Sequence, residues 1–134
     1  MATKKTGGIV EGYARSWPRE IFDRDGKIAK EADFLKQPGV YVLYDNGRPH
    51  YIGQGASMYG RLKTYTLPRS RYYNFWNAFS AFAVKDAKAR AELEAILIAA
   101  MPTANSAKPK LNKMKLPRRV AALMKKIRDA KIPR

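Results

Sequence analysis

The six residues Gly39-Val40-Tyr41-Val42-Leu43-Tyr44 constrain this chain more than any other stretch. They are rich in Val, Tyr and Leu, apolar at both alternating positions, and bounded by Pro38 and Asp45. Such a run predicts a central strand with a layer packed on each face. Asn46-Gly47 follows, a strong local signal for a hairpin, and His50-Tyr51-Ile52-Gly53 supplies the returning strand.

Two loops suit these residues. A two-residue turn at Asn46-Gly47 pairs Asp45 with Arg48, and so Val42 with Tyr51. Tyr41 and Tyr51 then face opposite sides of the sheet. A three-residue loop, Asp45-Asn46-Gly47 with Gly47 left-handed, pairs Tyr44 with Arg48. It sets Tyr41 directly across from Tyr51, with Cβ atoms about 5 Å apart. Turn chemistry alone leaves both open.

Further along, Ser57 is placed to cap a helix through Tyr65, with Met58, Leu62 and Tyr65 as its buried stripe and Arg61 at the rim. Trp76 to Val84 reads as another strand. Asp86 is a good cap for a helix from Ala87 to Met101, with Leu93, Ile96, Leu97, Ala100 and Met101 as its core face and Pro102 ending it. Pro117 opens a last helix, whose Val120, Leu123, Met124 and Ile127 oppose a strongly basic side. Before the hairpin the signals thin out. Ile9 to Tyr13 predicts a short strand, Ser16 the cap of a short helix, and Glu31 to Leu35 one helical turn.

At 134 residues the chain suits one domain. It has no cysteine, and His50 is its one histidine, which excludes disulfides and cysteine-based zinc sites. Any metal must rest on carboxylates, water and phosphate, which points to a hard cation such as Mg²⁺. No Ser-His-Asp set and no Walker-type phosphate loop is present. No apolar run approaches the ~20 residues of a membrane span, and no signal-peptide core is seen. The expected location is cytoplasmic, or nucleoid-associated in a bacterium or phage.

The 27 Lys and Arg against 11 Asp and Glu give a net charge of +16. That excess predicts a polyanionic partner, nucleic acid above all, and no membrane. Most carboxylates suit caps or surface charge. Glu94 is different: it lies in Ala91-Glu92-Leu93-Glu94-Ala95-Ile96-Leu97-Ile98, with Leu97 and Ile98 one turn further along its face. It either pairs with Arg90 on the surface or points inward, where a cation must offset its desolvation.

Together these residues resemble the GIY-YIG nuclease superfamily. Gly39-Val40-Tyr41 and Tyr51-Ile52-Gly53 match its two signature triplets. Arg61-Leu62, ten residues past Tyr51, matches the next landmark, and Tyr65 follows where an aromatic is common. Leu93-Glu94-Ala95-Ile96-Leu97-Ile98 matches the glutamate helix, and Pro102-Thr103-Ala104-Asn105 the closing asparagine, with Asn112 the second choice. Where many members carry Lys after Tyr-Ile-Gly, this chain has Gln54. One charge beside the second tyrosine is thereby lost, and His50 supplies some polarity instead.

The resemblance implies an α/β (α+β) fold: a small, mostly antiparallel three-stranded central sheet flanked by helices. It would span residues 34–112, after an extension at 1–33 and before a basic C-terminal helix at 113–134 packed on or beside it. It implies hydrolysis of DNA phosphodiesters with one Mg²⁺ (or Mn²⁺) on Glu94, Arg61 on the phosphate, Tyr41 or Tyr51 activating water, and Asn105 bracing the site. The nearby positive charge is expected to favour the tyrosine anion. A shared site for both tyrosines selects the three-residue loop. Arg69, Arg71, Tyr72, Lys108, Lys110 and Lys113 are the expected contacts to DNA, made through phosphate or shape. So short a chain leaves room for a homodimer or a protein partner. The competing reading is a non-catalytic nucleic-acid-binding module that kept the fold.

Overall fold

Strand β2 (Gly39–Asp45) is buried from Gly39 to Leu43, as its two apolar faces require. It lies between β3 (Arg48–Gly55) and β4 (Ala78–Ala83), and β1 (Gly12–Pro18) pairs with the far side of β4. The sheet is therefore four-stranded and antiparallel, in the order β1-β4-β2-β3, rather than three-stranded. This computed structural model describes residues 8–22, 30–70, 74–105 and 108–131.

The two faces of β2 organise the core. Tyr41 and Leu43 pack with Met58, Leu62 and Tyr65 of helix α1 (Met58–Thr64) and its cap, and with Trp76, Phe79 and Leu35. Val40 and Val42, with Ile52, pack under helix α2 (Ala87–Ala100) through Leu93, Leu97, Ile98 and Met101. Ser57 caps α1 and Asp86 caps α2, its carboxylate accepting from the Ala89 amide at 2.8 Å. The packed face of α2 is rotated from the sequence expectation. Ile96 and Ala100 are exposed, while Ile98 and Ala95 turn inward. Glu94, one turn before Ile98, is consequently half-buried.

The extra strand is β1, which runs through the position expected to cap a helix. Ser16 instead sits in a bulge between Ala14 and Trp17 at φ 52°, an uncommon conformation for a non-glycine residue. The Ser16 amide donates to Ser80 Oγ at 3.0 Å, and Ser80 also bonds Tyr44 Oη at 2.9 Å. These bonds hold the strained backbone in place, so the helical signal gives way to a single 3₁₀ turn at Arg19–Phe22. A second 3₁₀ segment, Lys30–Lys36, leads into β2.

Helix α3 (Arg118–Lys131) follows an exposed coil. Its apolar stripe does not pack on the sheet: Val120 is 43% exposed, Leu123 56%, Met124 53% and Ile127 46%. Among the described residues, no helix is long and apolar enough to cross a membrane.

Candidate active site

The hairpin turn has two residues. Asn46 at φ 50° and Gly47 at φ 85° both occupy the left-handed region, as a type I′ turn requires, and Asp45 pairs with Arg48. The three-residue loop is thus not formed. The partner of Tyr44 is Pro49, but the partner of Leu43 is Tyr51, so His50 is an extra residue in a β-bulge. That one residue shifts the register by one. Tyr51 lies opposite Leu43 rather than Val42, and Tyr41 lies opposite Gly53. Both tyrosines therefore share the α1 face, as the site needs, though not directly across from each other. The two-residue turn that had implied opposite faces is reconciled by the bulge.

The motif glycines sit where chains approach closely. A Cβ on Gly53 would collide with the Tyr41 ring, and one on Gly39 with the Phe82 carbonyl and the Met58 sulfur. The Tyr41 ring can lie across β3 only because residue 53 has no side chain.

Tyr65 joins the two tyrosines. Its hydroxyl bonds Tyr41 Oη at 2.8 Å, and its ring meets Tyr51 edge-on at 5.9 Å. Its carbonyl accepts from Trp76 Nε1 at 3.2 Å. The sequence placed Tyr65 in a buried stripe and at a position where an aromatic is common in the superfamily, but not in the site. The signal that marks it is its spacing, one helical turn past Arg61 on the same face. Tyr41 is fully buried, and burial pushes its hydroxyl well above the ordinary phenol range. Tyr65 and Tyr51 push the same way, and Arg61 only partly opposes them. The expected lowering is therefore reversed at Tyr41. Tyr51 is half-buried and next to the bulge.

Arg61 and Glu94 meet the end of the edge strand from its two sides. The Arg61 side chain passes close over Gly55: a Cβ there would lie 3.0 Å from Arg61 Cγ. Glu94 comes from α2, and its Oε1 accepts from Gln54 Nε2 at 3.2 Å. Residues 54 and 55 thus connect the two. The alternative partner of Glu94 is engaged elsewhere, since Arg90 Nη1 donates to the carbonyls of Val84 and Lys85 at 3.2 and 2.6 Å.

Asn105 acts on backbone. It accepts from the Ile52 amide at 2.9 Å and donates to the Ile52 carbonyl at 2.8 Å, while the Ala104 amide donates to His50 at 2.7 Å. The segment after α2 thereby covers the free edge of β3 and holds the bulge. Asn112 is exposed in the following coil.

Among the expected DNA contacts, Lys108 and Lys110 line a groove with Glu94, and Arg69 and Lys113 are exposed. Arg71 and Tyr72 lie outside the described residues. Among the described residues, no group of three or more His, Cys, Asp or Glu gathers as a metal cage. The donors do suit Mg²⁺ or Mn²⁺, which binds through one or two carboxylates and keeps its waters. Glu94 is a half-buried carboxylate that accepts from the neutral Gln54 amide and forms no ion pair among the described residues.

No family model matches the chain, and no curated protein matches it. Among solved structures it is similar to the GIY-YIG N-terminal endonuclease domain of UvrC from Thermotoga maritima. With the form bound to magnesium as its catalytic divalent cation it shares 27% identity at a TM-score of 0.45, covering 53% of this chain and 88% of that one. With a point mutant of that domain, also bound to its catalytic divalent cation, it shares 27% identity at a TM-score of 0.45, over 53% and 87%. The resemblance to the GIY-YIG superfamily stands on the motif residues and on an antiparallel sheet flanked by helices.

Proposed function

We propose that this protein is a metal-dependent endonuclease that hydrolyses DNA phosphodiesters. The observation that carries the reading is the His50 bulge. It sets Tyr51 on the face that holds Tyr41 and Tyr65, on the strand whose end both Arg61 and Glu94 reach.

Glu94 would hold the divalent ion, which when bound supplies charge stabilisation at a phosphate oxygen. Arg61 donates to the scissile phosphate and offsets the charge that builds on its oxygens in the transition state. Tyr51 takes the proton of the attacking water on its phenol oxygen. Tyr41, buried and held protonated, is a positioning residue: it fixes Tyr65, whose ring orients Tyr51. Asn105 positions β3 through Ile52.

The test is incubation of plasmid and single-stranded DNA with wild type and Glu94→Ala, in Mg²⁺ or EDTA. Cleavage confined to wild type with Mg²⁺ is expected. Cleavage that survives both EDTA and Glu94→Ala overturns the mechanism. DNA binding without cleavage by wild type favours a non-catalytic binding module.

A further inference from the structure

The groove beside Glu94 has a volume of about 410 Å³, within the range of about 300–1,000 Å³ typical of small-molecule pockets. Its walls divide by chemistry. Buried Ala95 and half-buried Ile98 make an apolar floor flanked by the exposed Ala91 and Leu111, while Lys88, Lys108 and Lys110 stand around it with Glu92 and Glu94. No ion pair holds any of the three lysines among the described residues, although two acids share the groove with them. The groove is also continuous with the candidate active site, through Glu94 and Gln54.

An apolar floor with uncommitted cations at its rim complements a nucleotide: a flat base with a phosphate at its edge. A base paired within a duplex presents only its groove edges and cannot enter. An unpaired one enters without the cost of leaving the stack. We propose that this groove takes one unpaired nucleotide of the strand being cut, with Lys108 and Lys110 on its phosphate. The preferred substrate class is then DNA with an unpaired nucleotide beside the scissile bond, as in a bulge or flap. The assignment to the cut strand rests on the nuclease reading; occupation of the groove does not.

The experiment measures binding of the full chain, in EDTA, to two labelled DNA hairpins that differ by one unpaired nucleotide in the stem. Wild type should bind the bulged hairpin about tenfold more tightly, the scale of one well-seated base. Ala91→Trp, which fills the groove from an exposed helical position, should erase that difference. Leu111→Glu, in coil, should erase it by charge, so a folding defect in either variant does not decide the outcome. The double variant Lys108→Gln/Lys110→Gln should reduce the salt slope of binding by about two. Equal affinities in wild type, or a preference that survives both groove variants, overturns the inference. A parallel run in Mg²⁺ separates the two claims. Discrimination without cutting removes the nuclease reading and keeps the groove. Cutting without discrimination does the reverse.

Discussion

Tyr41 and Tyr51 are the same side chain in two environments, one fully buried and one half-buried. Tyr41 is fully buried against Tyr65, so removing its hydroxyl removes a buried hydrogen bond. Tyr41→Phe should cost about 1 kcal/mol of stability near neutral pH, measured by urea unfolding. The pH dependence has a definite sign. A group whose pKa in the folded state is raised above its usual 10.0 contributes its stability fully below that pH and loses it as pH climbs further. The advantage of wild type over Tyr41→Phe should therefore shrink above about pH 10. Tyr51→Phe should lower the cleavage rate by about 10²–10⁴, the scale of a lost general base, while DNA binding persists. Equal activity of Tyr51→Phe and wild type would place the base elsewhere.

The hairpin shows how much of an element its sequence reveals. Asn46-Gly47 announced the turn, and the two-sided apolar run announced β2 as central; both follow from local chemistry. The bulge was not legible, because nothing in His50 itself marks an extra residue. It is held by the Ala104 amide, more than 50 residues away in the chain. The requirement that both tyrosines reach one site correctly demanded a shared face, and the chain meets it by a bulge rather than a longer loop. β1 was obscured for a related reason: its bulge at Ser16 depends on Ser80 and Tyr44, both remote in sequence. Glu94 was legible as an anomaly in its helix, but its partner was not, since Gln54 reaches it from β3, 40 residues away in the chain. Deleting His50 should restore a regular ladder and leave Tyr51 opposite Leu43, on the α1 face, so a folded protein that still nicks plasmid is expected, checked by circular dichroism and plasmid nicking. Asn105→Ala should remove two bonds to the edge strand and cost about 1–2 kcal/mol, with faster hydrogen exchange at the Ile52 amide.

At the scale of the whole molecule the charge of +16 and the placement of α3 belong together. The apolar stripe of α3 is exposed, and an isolated helix of 14 residues is marginal in water. Deleting residues 118–134 should therefore leave the unfolding midpoint of the sheet domain in place. It should weaken DNA binding and flatten its salt dependence, because seven basic residues go with it. A fall in the midpoint would show α3 to be part of the core. The central claim is that the end of β3 is a metal-dependent phosphodiesterase site. Its most direct test is the single-turnover cleavage rate of wild type and Glu94→Gln across a Mg²⁺ titration. Wild type should show a saturating rise, and the variant a rate lower by at least about 10² at every concentration. Equal rates and equal Mg²⁺ dependence in the two proteins would contradict it.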